Sequence, residues 1–228
     1  MRTQTIFMLC AFTAIAISTA AQTTIGVRSN LIFNDTEFTS GTANLDKTIK
    51  SMQGYSIGGF AEYELNENWS VNAELLYKHI GFQISESTSF GLFGLEIPIG
   101  ASLKTTVNYL ELPVLFKYRH DLGGIKAYIE AGPSINYALN GKVKTTANSI
   151  LDINITETNL NLSADSYSRI NTSGNIGVGI TYPYSRDLTM TAGIRYTKDL
   201  SDSVNLPIVN AGIKNNSVAI GLSIGKRF

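Results

Sequence analysis

Apolar and polar residues alternate with a period of two along most of the chain, the signature of strands that carry one apolar face. The last stretch is the clearest. From Ser217 onward, Val218, Ile220, Leu222, Ile224 and the terminal Phe228 alternate with Ser217, Ala219, Gly221, Ser223, Gly225 and Arg227. An edge strand of this kind templates aggregation unless it closes a barrel. Seven further stretches share the pattern. Strand one is predicted over Thr24–Phe33, with Ile25, Val27 and Leu31 opposite Gly26, Arg28 and Asn30. Strand two, Gln53–Leu65, sets Tyr55, Ile57, Ala61 and Tyr63 against Ser56, Phe60, Glu62 and Glu64. Strand three begins at Trp69 and sets Val71, Ala73, Leu75 and Tyr77 against Asn72, Glu74 and Lys78. In strand four, about Lys104–Arg119, Leu110, Leu112, Val114, Phe116 and Tyr118 face away from Tyr109, Glu111, Lys117 and Arg119. Strand five sets Ala127, Ile129, Ala131, Ile135 and Tyr137 against Lys126, Tyr128, Glu130 and Asn136. Strand six (about Arg169–Tyr182) and strand seven (Leu188–Tyr196) repeat the scheme, with Tyr182 and Tyr196 on the apolar side and Arg195 on the polar one.

The connections alternate too. Links 2–3, 4–5 and 6–7 are tight, whereas 1–2, 3–4, 5–6 and 7–8 are long and polar. An even strand number with short turns on one rim and long loops on the other predicts an all-β, eight-stranded antiparallel up-and-down transmembrane barrel. Each strand reaches the roughly 9–11 residues that a tilted membrane strand needs. A soluble barrel with an apolar ligand cavity shares the period, so the charges decide which face points inward. Arg28, Glu62, Glu74, Lys78, Glu111, Lys117, Glu130 and Arg195 all fall on the polar set. An eight-stranded barrel is just wide enough for side chains to fill, and charges of both signs inside it can pair, which offsets their desolvation. Glu111 with Lys117 or Arg119, and Glu130 with Lys126 or Arg195, are the expected pairs. On the apolar set Tyr63, Trp69, Tyr118, Tyr137, Tyr182 and Tyr196 lie near strand ends, which suits membrane interfaces.

The N-terminus carries Arg2, an apolar run from Ile6 to Ile17 and small residues up to Ala21. This is the layout of a cleaved signal peptide, too short to span a bilayer. The expected organisation is a signal peptide over residues 1–21 and one barrel domain over 22–228. Cys10, the single cysteine, lies in the removed segment, so disulfides and Cys-based metal sites are not expected. Without Arg2, 17 of the 18 basic residues remain against 18 acidic ones, a balance that gives no support for nucleic-acid binding.

Tyr109-Leu110-Glu111-Leu112-Pro113-Val114-Leu115-Phe116-Lys117-Tyr118, Ala127-Tyr128-Ile129-Glu130-Ala131-Gly132-Pro133-Ser134 and Ala192-Gly193-Ile194-Arg195-Tyr196 resemble the outer membrane protein beta-barrel domain family common in Bacteroidota, whose members are often called PorT-like. The resemblance covers most of the mature chain. It implies a barrel in a Gram-negative outer membrane and, for the PorT-like members, an accessory role in gliding-associated secretion.

Candidate catalytic chemistry is sparse. An outer-membrane enzyme acting on lipid or peptide needs a positioned base, commonly His near Ser or Asp. Of the two histidines, His79 follows the lipid-facing parity and His120 starts a short turn. Asp35, Glu37, Glu86, Asp152, Asp165 and Asp202 lie in or beside the long loops, where solvated charge is the default reading, and no run has calcium-loop spacing. Gly174–Gly179 lacks the following helix of a dinucleotide site; its glycines are expected to relieve crowding inside the barrel or to ease strand curvature. Phe90–Leu95 is unusually apolar and is expected to extend strands three and four as a hairpin, or else to form a contact patch. The resulting expectation is a non-enzymatic barrel without cofactor or metal, its polar lumen plugged and its loops the binding surface for a protein partner. Outer-membrane lipid surrounds it, and barrel assembly machinery reads Phe228 as an assembly signal. A secretion or gliding accessory and an outer-membrane enzyme are the alternatives.

Overall fold

The computed structural model describes residues 22–38, 49–85, 90–92, 95–97, 101–147, 153–159, 169–201, 204–206 and 211–228. The expected signal peptide, Cys10, Glu86, Asp152, Asp165 and Asp202 lie outside them, as does the side chain of Glu37. Eight long strands follow one another: β1 (Thr23–Phe38), β2 (Gln53–Glu64), β3 (Trp69–Ser85), β4 (Ala101–Asp121), β5 (Lys126–Ala147), β6 (Ile170–Pro183), β7 (Leu188–Asp199) and β8 (Ala211–Arg227). Each is antiparallel to the next, and β8 returns to β1 through Ile25↔Lys226, Val27↔Ile224 and Leu31↔Ile220. The predicted last strand has its partner, and the ring closes without an edge.

Three four-residue turns join β2–β3, β4–β5 and β6–β7 at the rim where both ends of the barrel chain lie. Each has a local cause. In the first, Leu65 N donates to Trp69 O (2.8 Å), while Asn66 Oδ1 accepts from Asn68 N (3.0 Å) and Trp69 N (2.8 Å). This side-chain turn ends β2 at Glu64, one residue before the predicted Leu65. In the second, Gly123 and Gly124 adopt φ of 86° and 110°, a region that costs other residues roughly 1–2 kcal/mol. His120, expected to begin this turn, still belongs to β4 and pairs with Ala127.

At the opposite rim, short strands lengthen the wall. Ile49–Ser51 pairs with β3, Ile153–Asn159 with β5 and Val204–Leu206 with β8. Phe90–Leu92 pairs with Leu95–Ile97 as a separate two-stranded antiparallel ribbon.

The alternation separates two surfaces. Val27, Phe116 and Leu222 stand 59%, 56% and 65% exposed on the outside, whereas Glu74, Arg195 and Glu130 are buried inside. Above Tyr137 this polarity reverses along β5. Leu139 is an extra residue in β5, opposite the step from Asn108 to Tyr109 in β4. Around this bulge Ile32, Ile80, Val107, Tyr109 and Ala138 form an apolar cluster within the barrel, with Val143 also buried. His79, Asn108 and Asn140 form a hydrogen-bonded row on the outside at 2.6 Å spacings.

Candidate functional site

Strand alternation turns all eight candidate lumen residues inward, where each is at least nine-tenths buried. Three layers form. Near the short-turn rim Lys117 Nζ meets Glu62 Oε2 at 2.7 Å, and Arg119 Nη1 meets Glu64 Oε1 at 2.9 Å and Glu62 Oε1 at 3.3 Å. Arg227 also pairs with Glu64. In the middle, Arg195 grips Glu74 through both Nη atoms at 2.8 Å and donates to Glu130 Oε1 at 2.8 and 3.0 Å. Arg28 approaches Glu74 from the other side at 3.6 Å. Higher up, Lys78 Nζ lies 3.4 Å from Glu111 Oε2.

The expected Glu111 partners are therefore corrected. Lys117 and Arg119 share a strand with Glu111, and six or eight residues of strand separate groups by about 20 Å or more. Glu111 pairs instead with Lys78 of β3, the strand beside it. Of the two partners weighed for Glu130, the structure brings up Arg195. Glu64, Arg119 and Arg227 extend the lower layer, in keeping with their places on the polar face of their strands. Buried Leu76 and Leu115 also face inward among the charges.

Glycines on neighbouring strands make room for this filling. A Cβ on Gly177 would lie 3.0 Å from Glu130 Oε1, one on Gly193 would lie 2.2 Å from the Tyr128 hydroxyl, and one on Gly26 would lie 2.6 Å from the Phe60 ring. In each case the large side chain and the glycine share a register row. Lys117 Nζ in turn sits 4.7 Å from the centre of the Tyr128 ring, a cation–π contact.

The six candidate interface aromatics all point outward. Tyr63, Trp69, Tyr118 and Tyr182 lie toward the short-turn rim, and the Trp69 and Tyr118 rings meet at 5.0 Å. Tyr137 and Tyr196 lie at the other end with Tyr55 and Tyr77, whose rings meet at 6.5 Å and which sequence reading did not single out. Eight residues separate Tyr55 from Tyr63 and Trp69 from Tyr77. At about 3.3 Å per residue and a tilt near 40° that is about 20 Å along the barrel axis. His79 stacks on Tyr55 at 5.3 Å, outside the lumen, and His120 is exposed. Phe228 stands on the outer surface at the short-turn rim, 70% exposed, with its N–H donated to Thr23 O at 2.9 Å. Asp35 is exposed on the outer face of β1. Among the described residues no group of three His, Cys, Asp or Glu side chains is placed to hold a metal.

A closed antiparallel ring, an outward apolar band bounded by aromatic rows and an inward charged filling define a transmembrane β-barrel of the outer-membrane type. A family model, the outer membrane protein beta-barrel domain, matches residues 20–205. The chain belongs to that family and is a protein of the Gram-negative outer membrane. Among solved structures it is similar to the outer membrane protein OprG from Pseudomonas aeruginosa, at 14% identity over 92% of this chain and 96% of that one, with a TM-score of 0.52. Neisserial surface protein A is also similar, at 13% identity over 90% and 98% with a TM-score of 0.48. So is the attachment invasion locus protein Ail of Yersinia pestis, solved with a heparin analogue, at 15% identity over 92% and 100% with a TM-score of 0.40. No curated protein matches the chain.

Proposed function

We propose that this barrel is neither a pore nor an enzyme: its lumen is a structural plug, and specific binding takes place on the long connections outside the cell. The observation that carries this reading is the middle layer, where Arg195 of β7 spans the lumen to Glu74 of β3 and reaches Glu130 of β5, all three buried. The apolar cluster of Ile32, Ile80, Val107, Tyr109 and Ala138 supports it by covering the charges from above. Short turns of such barrels face the periplasm, which puts the long connections and their added strands outside. The two aromatic rows then anchor the wall at the lipid interfaces, and Phe228 serves the assembly machinery as a recognition signal at the periplasmic rim. Planar-bilayer recording of the refolded protein tests the plug: the expected result is the absence of steady single-channel current, and a large, stable conductance would refute it.

A further inference from the structure

At the periplasmic mouth the lowest charge layer opens into a cavity of about 50 Å³. Arg28, at its inner end, pairs with Glu74; the remaining charged lining is Lys117, Arg119, Lys126 and Arg227 against Glu62 and Glu64. Lys126 is offset by Asp121, its register partner. Three cations inside thus face two carboxylates, and the surplus positive charge sits where low-dielectric walls strengthen it. Arg119 is 7% exposed and spends only Nη1 on the two glutamates. Among the described residues its Nε and Nη2 have no hydrogen-bond partner, and neither does Nε of Arg227; all three lie just beneath the cavity surface, so a bound anion would meet them after a small turn of the side chains toward the cavity. The Nε–Nη2 edge of a guanidinium is a pair of parallel N–H bonds that grips an oxyanion side-on. Thr24, Thr181, Thr189 and Thr191 also line the wall, with Asn72, Ser223 and Phe60, and the volume suits a single oxyanion group or a few waters.

We propose that this vestibule binds an oxyanion, a carboxylate or phosphoryl group presented from the periplasm, with Arg119 as the side-on clamp and Arg227 as the second donor. The site is independent of the extracellular surface and faces the opposite compartment.

The test is a titration of the full mature chain, refolded in detergent micelles, with sodium phosphate or sodium acetate at constant ionic strength. Nε–Hε resonances are followed by nitrogen–proton NMR and assigned with Arg119→Lys and Arg227→Lys. The Arg119 and Arg227 signals are expected to shift saturably, with Arg195 unmoved, over a range that resolves a Kd of about 1 mM. A response to both anions identifies a general oxyanion site, to acetate alone a carboxylate source, and to phosphate alone a phosphoryl source. Arg119→Lys, which keeps the charge and removes the fork, should weaken binding about tenfold or more. A linear drift, an equal response to chloride, or unchanged affinity in a folded Arg119→Lys protein would overturn the proposal. If that variant does not fold, the wild-type titration decides alone.

Discussion

Glu130 and Arg195 are separated by a whole strand and yet hydrogen bond, because the residue between them in the register row is Gly177. A single methyl there would stand 3.0 Å from both Glu130 Oε1 and Ile194 O. The middle charge layer therefore depends on a residue that carries no charge at all.

Replacing Arg195 by Met should destabilise the barrel by about 3–5 kcal/mol, since Glu74 and Glu130 would remain buried without their main partner. Denaturant unfolding in lipid vesicles measures this. Adding Glu130→Gln should return part of the loss; a purely additive double variant would show that the pair is not energetically coupled.

Gly193→Ala should cost about 1–3 kcal/mol by overpacking the Tyr128 hydroxyl. Tyr128→Phe removes the nearest clashing atom, so the double variant should be less destabilised than the two changes summed. The same unfolding assay reads the coupling, and strict additivity would assign the cost to the backbone neighbour Val178 O.

Ile129 is 57% exposed on the outer face between the aromatic rows. Ile129→Arg should lower stability in bilayers by about 2–4 kcal/mol. Leu122→Arg, in the exposed β4–β5 turn, should be nearly neutral. Equal effects at the two sites would place the lipid boundary elsewhere.

Asp121 accepts hydrogen bonds from Gly123 N at 2.7 Å and from Gly124 N at 3.5 Å, and these hold its carboxyl below the ordinary 3.8. A depressed carboxyl stabilises the turn at pH above its unfolded value and loses that contribution as pH falls through its folded one. Carbon NMR titration should find Asp121 below 3.8, and Gly123→Ala should move it back up by straining the turn.

Much of this molecule is visible in the order of its residues. Period-two alternation marks all eight strands, and the charges tell inside from outside, because one residue of offset reverses every side chain. Tight turns announce themselves through Asn66, Gly123 and Gly124. What crosses the lumen is not visible. Glu111 has Lys117 and Arg119 near it in sequence, but an extended strand carries them out of reach and the neighbouring strand supplies Lys78. The stagger between strands settles such pairings, as it settles that Phe60 lies over Gly26 and Tyr128 over Gly193. The vestibule is hidden for a related reason: Glu64, Arg119 and Arg227 lie at or near the ends of three different strands, and only closure of the ring brings them together.

The bulge at Leu139 acts on β5 as a frameshift acts on a message. Below it the strand is written for lipid outside and charge within; above it the same two-letter alternation is written for water outside and an apolar interior. Keeping that residue but ironing out the bulge would turn every downstream residue to the wrong solvent, with Lys142 facing in and Val143 facing out, whereas deleting Leu139 would leave the downstream faces as they are. The height at which this barrel leaves the membrane is thus punctuated by an insertion as well as spelled by composition.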